Sequence, residues 1–301
     1  NELMIVVKDL LSLMNPKYVN PKAPNANKNY LDTPGLFDRL AMGRVKLDVL
    51  PAVCADELLT WPSTRKKRLR TSCRVLNHGV KEARLKGKGD ILDQGENVLE
   101  MGEREVVLAP GAEQTVTFEK AWPDPELWEP RHPKLYVFNV QVSNDAGVEF
   151  DVAQTRFGFR DTWNEKDQIM FNGKPIKLKS FNGTPCYAHL RYDQPVINRF
   201  AYQPDLYDEF GYICTDFAGG LQNSASRHNV ERDQFWENAE KIAIHKVKKL
   251  QNHPSVIAYY LSNEWYHFLC ASDAVRAQAA QRFKALSDAV RAYDPSRWTF
   301  F

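Results

Sequence analysis

Cysteine is scarce in this sequence, and its few occurrences fit no metal-binding or disulfide pattern. The 301 residues contain five cysteines, an odd number with no Cys-x-x-Cys pair, so the spacing indicates neither a metal site nor a disulfide framework. Cys54 and Cys73 could pair only on facing strands, and we expect both to be free. The pattern fits a reducing compartment or cysteines that simply belong to a core, and we expect no metal and no cofactor.

Net charge is also small, and this argues against two classes of partner. Lys and Arg number 40 against 38 Asp and Glu, which leaves a formal charge of +2 and no electrostatic reason to expect nucleic acid or an anionic membrane. We interpret the one basic cluster, Arg65–Arg68, as a solvated hairpin end, because no aromatic or basic pattern extends it. No apolar run approaches the ~18 residues that a membrane-spanning helix needs.

The start of the chain carries no recognisable targeting signal. It reads NELMIVVKDLL, with neither an initiator Met nor the charged-then-apolar order of a signal peptide. We interpret this as the interior of a longer protein, so the compartment, cytoplasmic or exported, stays open. A strand-like run at Leu3–Val7 and a loop rich in Asn, Pro and Lys follow, and residues 1–44 are too few to bury a core alone.

Residues 45–160 show the pattern of an all-β domain. Alternating segments such as KKRLRTSCRVLNHG, EREVVLAPGAEQTVTFEKAW and KLYVFNVQVSNDAG are separated by turn signals every ten or so residues. This spacing predicts a β-sandwich of about 100 residues. We expect its large aromatic residues, Trp122, Trp128 and Tyr136, to lie in the core or between domains.

From residue 161 onward, predicted strands alternate with helices. Strand–helix alternation is typical of parallel strands joined by crossover helices. The predicted strands are Lys174–Phe181, Val196–Ala201, Tyr212–Phe217, Ser255–Leu261 and the final RWTFF. The predicted helices are Leu206–Phe210, ended by Gly211, then Asp233–Leu250, and one that begins at Ser272 or Asp273 and ends at Asp294-Pro295.

One of these strands ends in an unusual way. Residues 252–265 read NHPSVIAYYLSNEW, an apolar run that closes in a carboxamide, a carboxylate and an indole. An ionised Glu at the edge of a core loses solvation free energy unless a function uses it. Glu264 is therefore a candidate functional residue.

Four segments in chain order resemble glycoside hydrolase family 2, the group of β-galactosidases, β-glucuronidases and β-mannosidases. They are PELWEPRHPKLYVFNVQV (125–142), RFGFRDTW with FNGKPIKLKSFN (156–182), DLYDEFGYICTDF (205–217) and NHPSVIAYYLSNEW. The first residues of the chain are similar to the last strands of the family's sugar-binding jelly roll. The resemblance implies a jelly-roll remnant (1–44), an immunoglobulin-like sandwich (45–160) and the N-terminal half of a catalytic TIM barrel (161–301).

By this resemblance the protein is a retaining, exo-acting β-glycosidase, β-galactosidase-like, in which Glu264 is the acid/base. Asn263 would hydrogen-bond the 2-hydroxyl of the sugar. The nucleophile should be a second Glu on a later strand, which the family places beyond residue 301, so this chain alone should be inactive. The partner is then a carbohydrate substrate, with a homo-oligomer as a further expectation.

Other candidate substrate-binding residues follow from their places in the predicted barrel. Arg199 on the second strand would point into the mouth or form a structural ion pair. Asp216, read as the end of the third strand, would bind a sugar hydroxyl or orient a neighbour. Trp265 would stack on a sugar ring or pack under the next helix, and Tyr202 and Asn182 would line the site from loops.

The sequence also departs from the family pattern. Residues 161–301 are about half of the ~250 that a complete barrel needs. Only twelve residues separate Asn182 from Pro195, too few for a full crossover helix, which indicates either a deletion or residues missing from the sequence. These departures favour the alternative of an inactive carbohydrate-binding or scaffold protein, whereas the intact Ser-Asn-Glu-Trp argues against it. A cellulase-like barrel enzyme is a further alternative, against which the preceding sandwich argues.

Overall fold

A computed structural model describes most of the chain from residue 50 onward, and the described residues belong to one compact unit. The described ranges are 50–177, 179–181, 196–198, 203–222, 232–263 and 273–300. The jelly-roll remnant predicted for residues 1–44 lies outside them.

Two antiparallel sheets form the sandwich that the sequence predicts. One sheet has the order β1 (Val53–Ser63), β2 (Arg68–Asn77), β5 (Glu113–Ala121). The other has the order β4 (Glu96–Leu108), β3 (Ala83–Asp93), β8 (Tyr136–Asn144), β9 (Glu149–Phe157). The three-plus-four arrangement is that of an immunoglobulin-like sandwich.

The core of the sandwich lies between the inward faces of these sheets. Along β8, Tyr136, Phe138, Val140 and Val142 are buried while the residues between them are more exposed or polar, the two-residue alternation of a strand with one face in the core. Phe138 packs edge-on against Phe118 at 6.3 Å between ring centroids. Such packing makes apolar burial the main source of stability in this region.

Both cysteines of the sandwich are free and buried, as expected. Cys54 lies opposite Leu76 and Cys73 opposite Val116, so the two thiols are not cross-strand neighbours. Burial raises the pKa of the Cys73 thiol to about 12, which keeps it protonated and unreactive at neutral pH.

Two short strands, β6 (Trp128–Glu129) and β7 (His132–Pro133), pair with each other before β8. The indole of Trp128 is fully buried and packs with Phe171 and with Ile213 and Ile257 of the parallel sheet described below. This burial agrees with the prediction that Trp128 lies in the core or between domains.

Along the chain, a small antiparallel sheet lies between the sandwich and the region of alternating strands and helices. It consists of β10 (Thr162–Glu165), β11 (Gln168–Phe171) and β12 (Lys174–Ile176). The prediction of a single strand over Lys174–Phe181 is wrong, because the chain forms β12 and then a separate strand. The Asn172-Gly173 turn, whose positive φ angles of 48° and 82° are those of a tight hairpin, pairs β12 with β11, whereas the separate strand after it pairs in a different, parallel sheet.

The rest of the described chain builds a parallel sheet, which confirms the strand–helix interpretation. Its order is β13 (Lys179–Phe181), β14 (Val196–Asn198), β15 (Ile213–Gln222), β16 (Val256–Asn263), β17 (Trp298–Phe300), with every neighbouring pair parallel. The helices between these strands are α1 (Pro204–Phe210), α2 (Asp233–Leu250) and α3 (Asp273–Tyr293).

The first helix ends where the sequence predicts. Gly211 has a φ of 71° in the left-handed region and its N–H bonds the Tyr207 carbonyl, the usual glycine C-cap. A Cβ at this position would lie 1.9 Å from the Pro130 carbonyl oxygen, so the close approach of two backbones requires glycine as well.

Candidate active site

The C-terminal end of strand β16 is where the sequence places the reactive residues. Asn263 is the last residue of this strand and pairs in parallel with Gln222, the last residue of β15. The two strands therefore end at the same edge of the sheet, as the candidate site requires.

Several predicted site residues lie outside the described residues. They are Glu264, Trp265, Arg199, Tyr202 and Asn182. Their predicted roles stay predictions.

The two faces of the parallel sheet are distinct. The face that we call the helix face packs on α2 and α3 and includes Val256, Tyr259 and Leu261 of β16. On the other face, which we call the inner face, Tyr260 stacks on Phe300 at 4.9 Å between ring centroids. Ile257 also lies away from the helices, in a cluster with Trp128 and Phe171.

These contacts show that the alternation of side chains between the two faces, which we call the phase of the strand, shifts by one residue at the start of β16. Strict two-residue alternation would put Val256 and Tyr259 on opposite faces, yet both contribute to the core under the helices. The register explains why: Cys214 pairs with Val256 and the next residue, Thr215, pairs with Ala258. Ile257 is thus the extra residue of a β-bulge, a feature known to redirect the side chains that follow it.

Asp216 does not end its strand, contrary to the sequence prediction. Strand β15 continues six residues further, to Gln222, and Asp216 pairs with Tyr259. Cys214 and Ala218 both belong to the core under the helices, so alternation gives Asp216 the helix face. The expected stop at Phe217 failed because Ala-Gly-Gly, which resembles a turn, continues the strand through a second irregularity.

The N-terminal end of β16 is fixed by polar contacts. The Asp208 carboxylate, on α1, accepts hydrogen bonds from the Ser255 N–H at 3.0 Å and contacts the His253 Nδ1 at 2.6 Å. His253 precedes the strand, and this contact gives it a structural role at the start of β16.

Asn252 connects the sheet to the sandwich. Its Oδ1 accepts from the Thr60 N–H at 2.8 Å, and its Nδ2 donates to the Leu58 carbonyl at 2.7 Å and to Thr155 Oγ1 at 3.0 Å. One carboxamide therefore bonds strands from both sheets of the sandwich.

Two buried arginines lie beside this end of the strand. Arg160 and Arg297 are 4% and 6% exposed. Asp294, in a 2.6 Å ion pair with Arg297 Nη1, also accepts a 2.7 Å hydrogen bond from the Tyr259 hydroxyl. Burial raises the pKa of Asp294, but the Arg297 guanidinium and the hydrogen bonds outweigh burial and hold the pKa below its usual value.

Among the described residues, Arg160 has no carboxylate within ion-pair distance, unlike Arg297. Burial, followed by repulsion from Arg297, lowers the pKa of Arg160 to about 9. Burying a guanidinium without a carboxylate beside it costs free energy, so the hydrogen bonds of Arg160 must compensate for this cost.

A cleft of about 500 Å³ runs along β17, lined by Asn164, Arg291 and Trp298 among others. It includes none of the predicted site residues, so we do not assign the candidate site to it. Within the described ranges, no cluster of His, Cys, Asp and Glu is arranged to hold a metal ion, and no helix there is long and apolar enough to cross a membrane.

Comparison with known proteins supports the family resemblance. Residues 59–160 match the family model of glycosyl hydrolases family 2. A putative β-glucuronidase of Formosa agariphila is 26% identical over 288 residues, which cover 85% of this chain and 33% of the relative. A β-galactosidase of Vibrio vulnificus is 24% identical over 168 residues, which cover 48% of this chain and 16% of the relative.

Solved structures share the fold at lower identity. A β-glucuronidase of Bacteroides uniformis superposes with a TM-score of 0.64 at 18% identity, over 83% of this chain and 34% of that one. A β-galacturonidase of family 2 from Eisenbergiella tayi also gives 0.64, at 20% identity, over 82% and 46%. This chain thus spans about a third of the length of the first relatives that it matches.

Sequence reasoning missed the groups that hold the start of β16. Arg160, Asp208, Asp294 and Arg297 carried no signal by themselves. The two arginines bind backbone carbonyls 41 to 96 residues away, Asp208 binds groups 45 and 47 residues away, and the spacing of three between Asp294 and Arg297 does not by itself indicate a buried pair. Asn252 was noticed only as part of a motif, and nothing in the sequence indicates that it reaches the sandwich.

Proposed function

We propose that this chain, whose residues 59–160 belong to glycoside hydrolase family 2, is part of a retaining, exo-acting β-glycosidase. The observation that carries the proposal is the family match together with Ser262-Asn263, the last residues of a parallel strand, which Glu264-Trp265 follow in the sequence. The relatives named above are glycosidases in their own right, and this chain covers only part of their length.

The chemistry gives each residue a distinct task. Hydrolysis with retention needs two carboxyl groups ~5–5.5 Å apart, one to attack the anomeric carbon and one to protonate the leaving oxygen and then activate water. We assign the second task to Glu264 and a contact with the 2-hydroxyl of the sugar to Asn263. The nucleophile would be a second Glu outside these 301 residues.

We further propose that the five parallel strands and their helices are part of a (β/α)8 barrel. In that architecture the inner face is the barrel interior and the C-terminal strand ends form the substrate mouth. The parallel order and the crossover helices support this proposal. The sugar is proposed to be a terminal β-galactoside, with β-glucuronides and β-galacturonides as the competing classes that the named relatives suggest.

The test is a comparison of Glu264→Gln with wild type in the full-length protein on a panel of nitrophenyl β-glycosides. Loss of a general acid/base lowers kcat typically 10²–10⁴-fold, and we expect a loss in that range for whichever sugar the wild type hydrolyses. Glu240→Gln is the matched control, because Glu240 is an exposed carboxylate on α2, and it should leave the rate unchanged.

Azide separates catalysis from misfolding. With an activated leaving group the first step proceeds without the acid, whereas the second step still needs the base to activate water. Azide attacks the glycosyl-enzyme without a base. We therefore expect azide to restore turnover of Glu264→Gln and to form a glycosyl azide. Equal rates for wild type and Glu264→Gln on every active substrate would show the assignment to be wrong. Glycoside binding without hydrolysis by the wild type would instead favour a carbohydrate-binding protein.

A further inference from the structure

The bulge at Ile257 determines which of the following side chains of strand β16 lie on the inner face of the sheet. After the bulge, Tyr259 and Leu261 lie on the helix face and Tyr260 on the inner face. A shift of one residue in a strand moves every following side chain to the other face. The phase established at Ile257 therefore governs the whole segment that leads to Asn263.

The carbonyl of Val256, the residue before the bulge, lies outside the part of β16 that pairs with β17. Pairing between β16 and β17 starts at Ala258 opposite Trp298, so the Val256 carbonyl has no residue of β17 opposite it. It accepts instead from two guanidinium groups, at 2.5 Å from Arg160 Nη2 and 2.7 Å from Arg297 Nε.

The same two side chains bind the backbone on the N-terminal side of the bulge as well. Arg160 Nε donates to the Pro254 carbonyl at 3.0 Å. Arg297 Nη2 donates to the Gln251 and His253 carbonyls at 2.8 and 2.7 Å. Only a planar fork with several donors reaches this many acceptors at once, which an ammonium group cannot do.

We propose that Arg160 and Arg297 are positioning residues that hold the bulge and thereby orient the C-terminal end of β16. Their role in activity rests on the proposed function, since it acts through Asn263 and Glu264. The two arginines come from separate parts of the chain, Arg160 from the segment before β10 and Arg297 from the turn before β17. Holding two like charges together in the interior lowers the stability of the fold. A role in fixing the geometry of the strand explains why both arginines are buried here.

The first test follows the strand itself and is independent of activity. In the full-length protein, Arg297→Lys is compared with Val290→Ala, a buried apolar truncation on α3, at denaturant concentrations that give equal global stability. We expect amides 257–262 to exchange hydrogen at least tenfold faster in Arg297→Lys. Equal exchange in the two variants would overturn the proposal. If Arg297→Lys does not fold, Arg160→Lys takes its place.

The second test follows the reaction. We expect Arg297→Lys to lower kcat at least tenfold with little change in KM and to move the basic limb of the pH–rate profile, whereas Val290→Ala leaves that profile in place. An unchanged profile with altered exchange would refute the link to Glu264. A wild type that hydrolyses none of the glycosides would refute the proposed function instead, and the exchange result would still decide whether the arginines hold the bulge.

Discussion

The sandwich and the parallel sheet use charged side chains in opposite ways. In the sandwich, ion pairs such as Arg68–Glu119 are solvent-exposed, with 41% and 46% of the side chains accessible. In the parallel sheet, the Arg297–Asp294 pair is 4% and 1% exposed. The sandwich therefore keeps this ion pair at its surface, whereas the parallel sheet has, besides its own apolar core, a buried charged network where its strands begin.

The largest effect should come from breaking the buried pair. Asp294→Ala leaves Arg297 and Arg160 without the carboxylate that compensates them, and removing one partner of a buried pair typically destabilises by about 3–5 kcal/mol. Urea unfolding followed by circular dichroism measures this. A loss below about 1 kcal/mol would mean that the network contributes no more than a surface pair.

In the sandwich an apolar truncation should do comparable damage. Leu69 is 0% exposed between the two sheets, and Leu→Ala in such a site costs about 2–5 kcal/mol through lost transfer free energy and a cavity. The same unfolding measurement applies, with Val107→Ala as control because Val107 is 57% exposed on an edge strand. Similar losses for both variants would contradict the assignment of the core.

Asn252 tests the connection between the two regions. Asn252→Ala removes one side chain but leaves the Thr60 N–H and the Leu58 carbonyl without their partner, and each unsatisfied group costs about 1–3 kcal/mol. We expect the proteolytic susceptibility of the β1–β2 region to rise together with this loss. Asn252→Asp retains the acceptor for Thr60 and should be less destabilising than Asn252→Ala. A larger loss of stability for Asn252→Asp than for Asn252→Ala would show that the hydrogen bonds donated by Nδ2 contribute more than the one accepted by Oδ1.

The pH dependence of stability should carry the signature of Asp294. Its pKa is lowered in the folded protein, because the Arg297 guanidinium and hydrogen bonds outweigh the opposing effect of burial. Its contribution is fully present above the ordinary Asp pKa of about 3.9 and is lost as the pH falls through the lowered folded value. Asp294→Asn cannot titrate, so the difference in unfolding free energy between wild type and Asp294→Asn should shrink below about pH 4. A constant difference from pH 7 to pH 2 would exclude this carboxylate as the source.

The smallest effect is expected at the surface of the sandwich. Arg68→Ala removes an exposed ion pair with Glu119 at 2.7 Å, and such pairs are worth about 0–1 kcal/mol. Thermal melts in low and high salt should show a small shift that salt removes. A loss of stability as large as that of Leu69→Ala, and independent of salt, would contradict the view that charged pairs of the sandwich contribute little to its stability.

Local patterns predicted the elements well where periodicity and turn residues agreed. The helix Asp233–Leu250 has the predicted bounds, because its apolar residues repeat at the helical period over five turns. The strands around Pro110-Gly111 and the stop at Gly211 follow equally local rules. The same reasoning failed at Lys174–Phe181, whose two halves pair in different sheets, and at Asp216, where small residues continue a strand instead of ending it.

The sequence by itself determined where most strands and helices lie and that the later strands are parallel, because these depend on spacing within a short window, and its motifs carry the family resemblance. Only the tertiary structure decided the phase of β16, the face that carries Asp216 and the contacts of Arg160, Arg297 and Asn252. These depend on register and on carbonyl groups contributed by segments up to 194 residues apart. No local pattern encodes them, since a backbone carbonyl is the same in every residue and only the fold brings it to its donor.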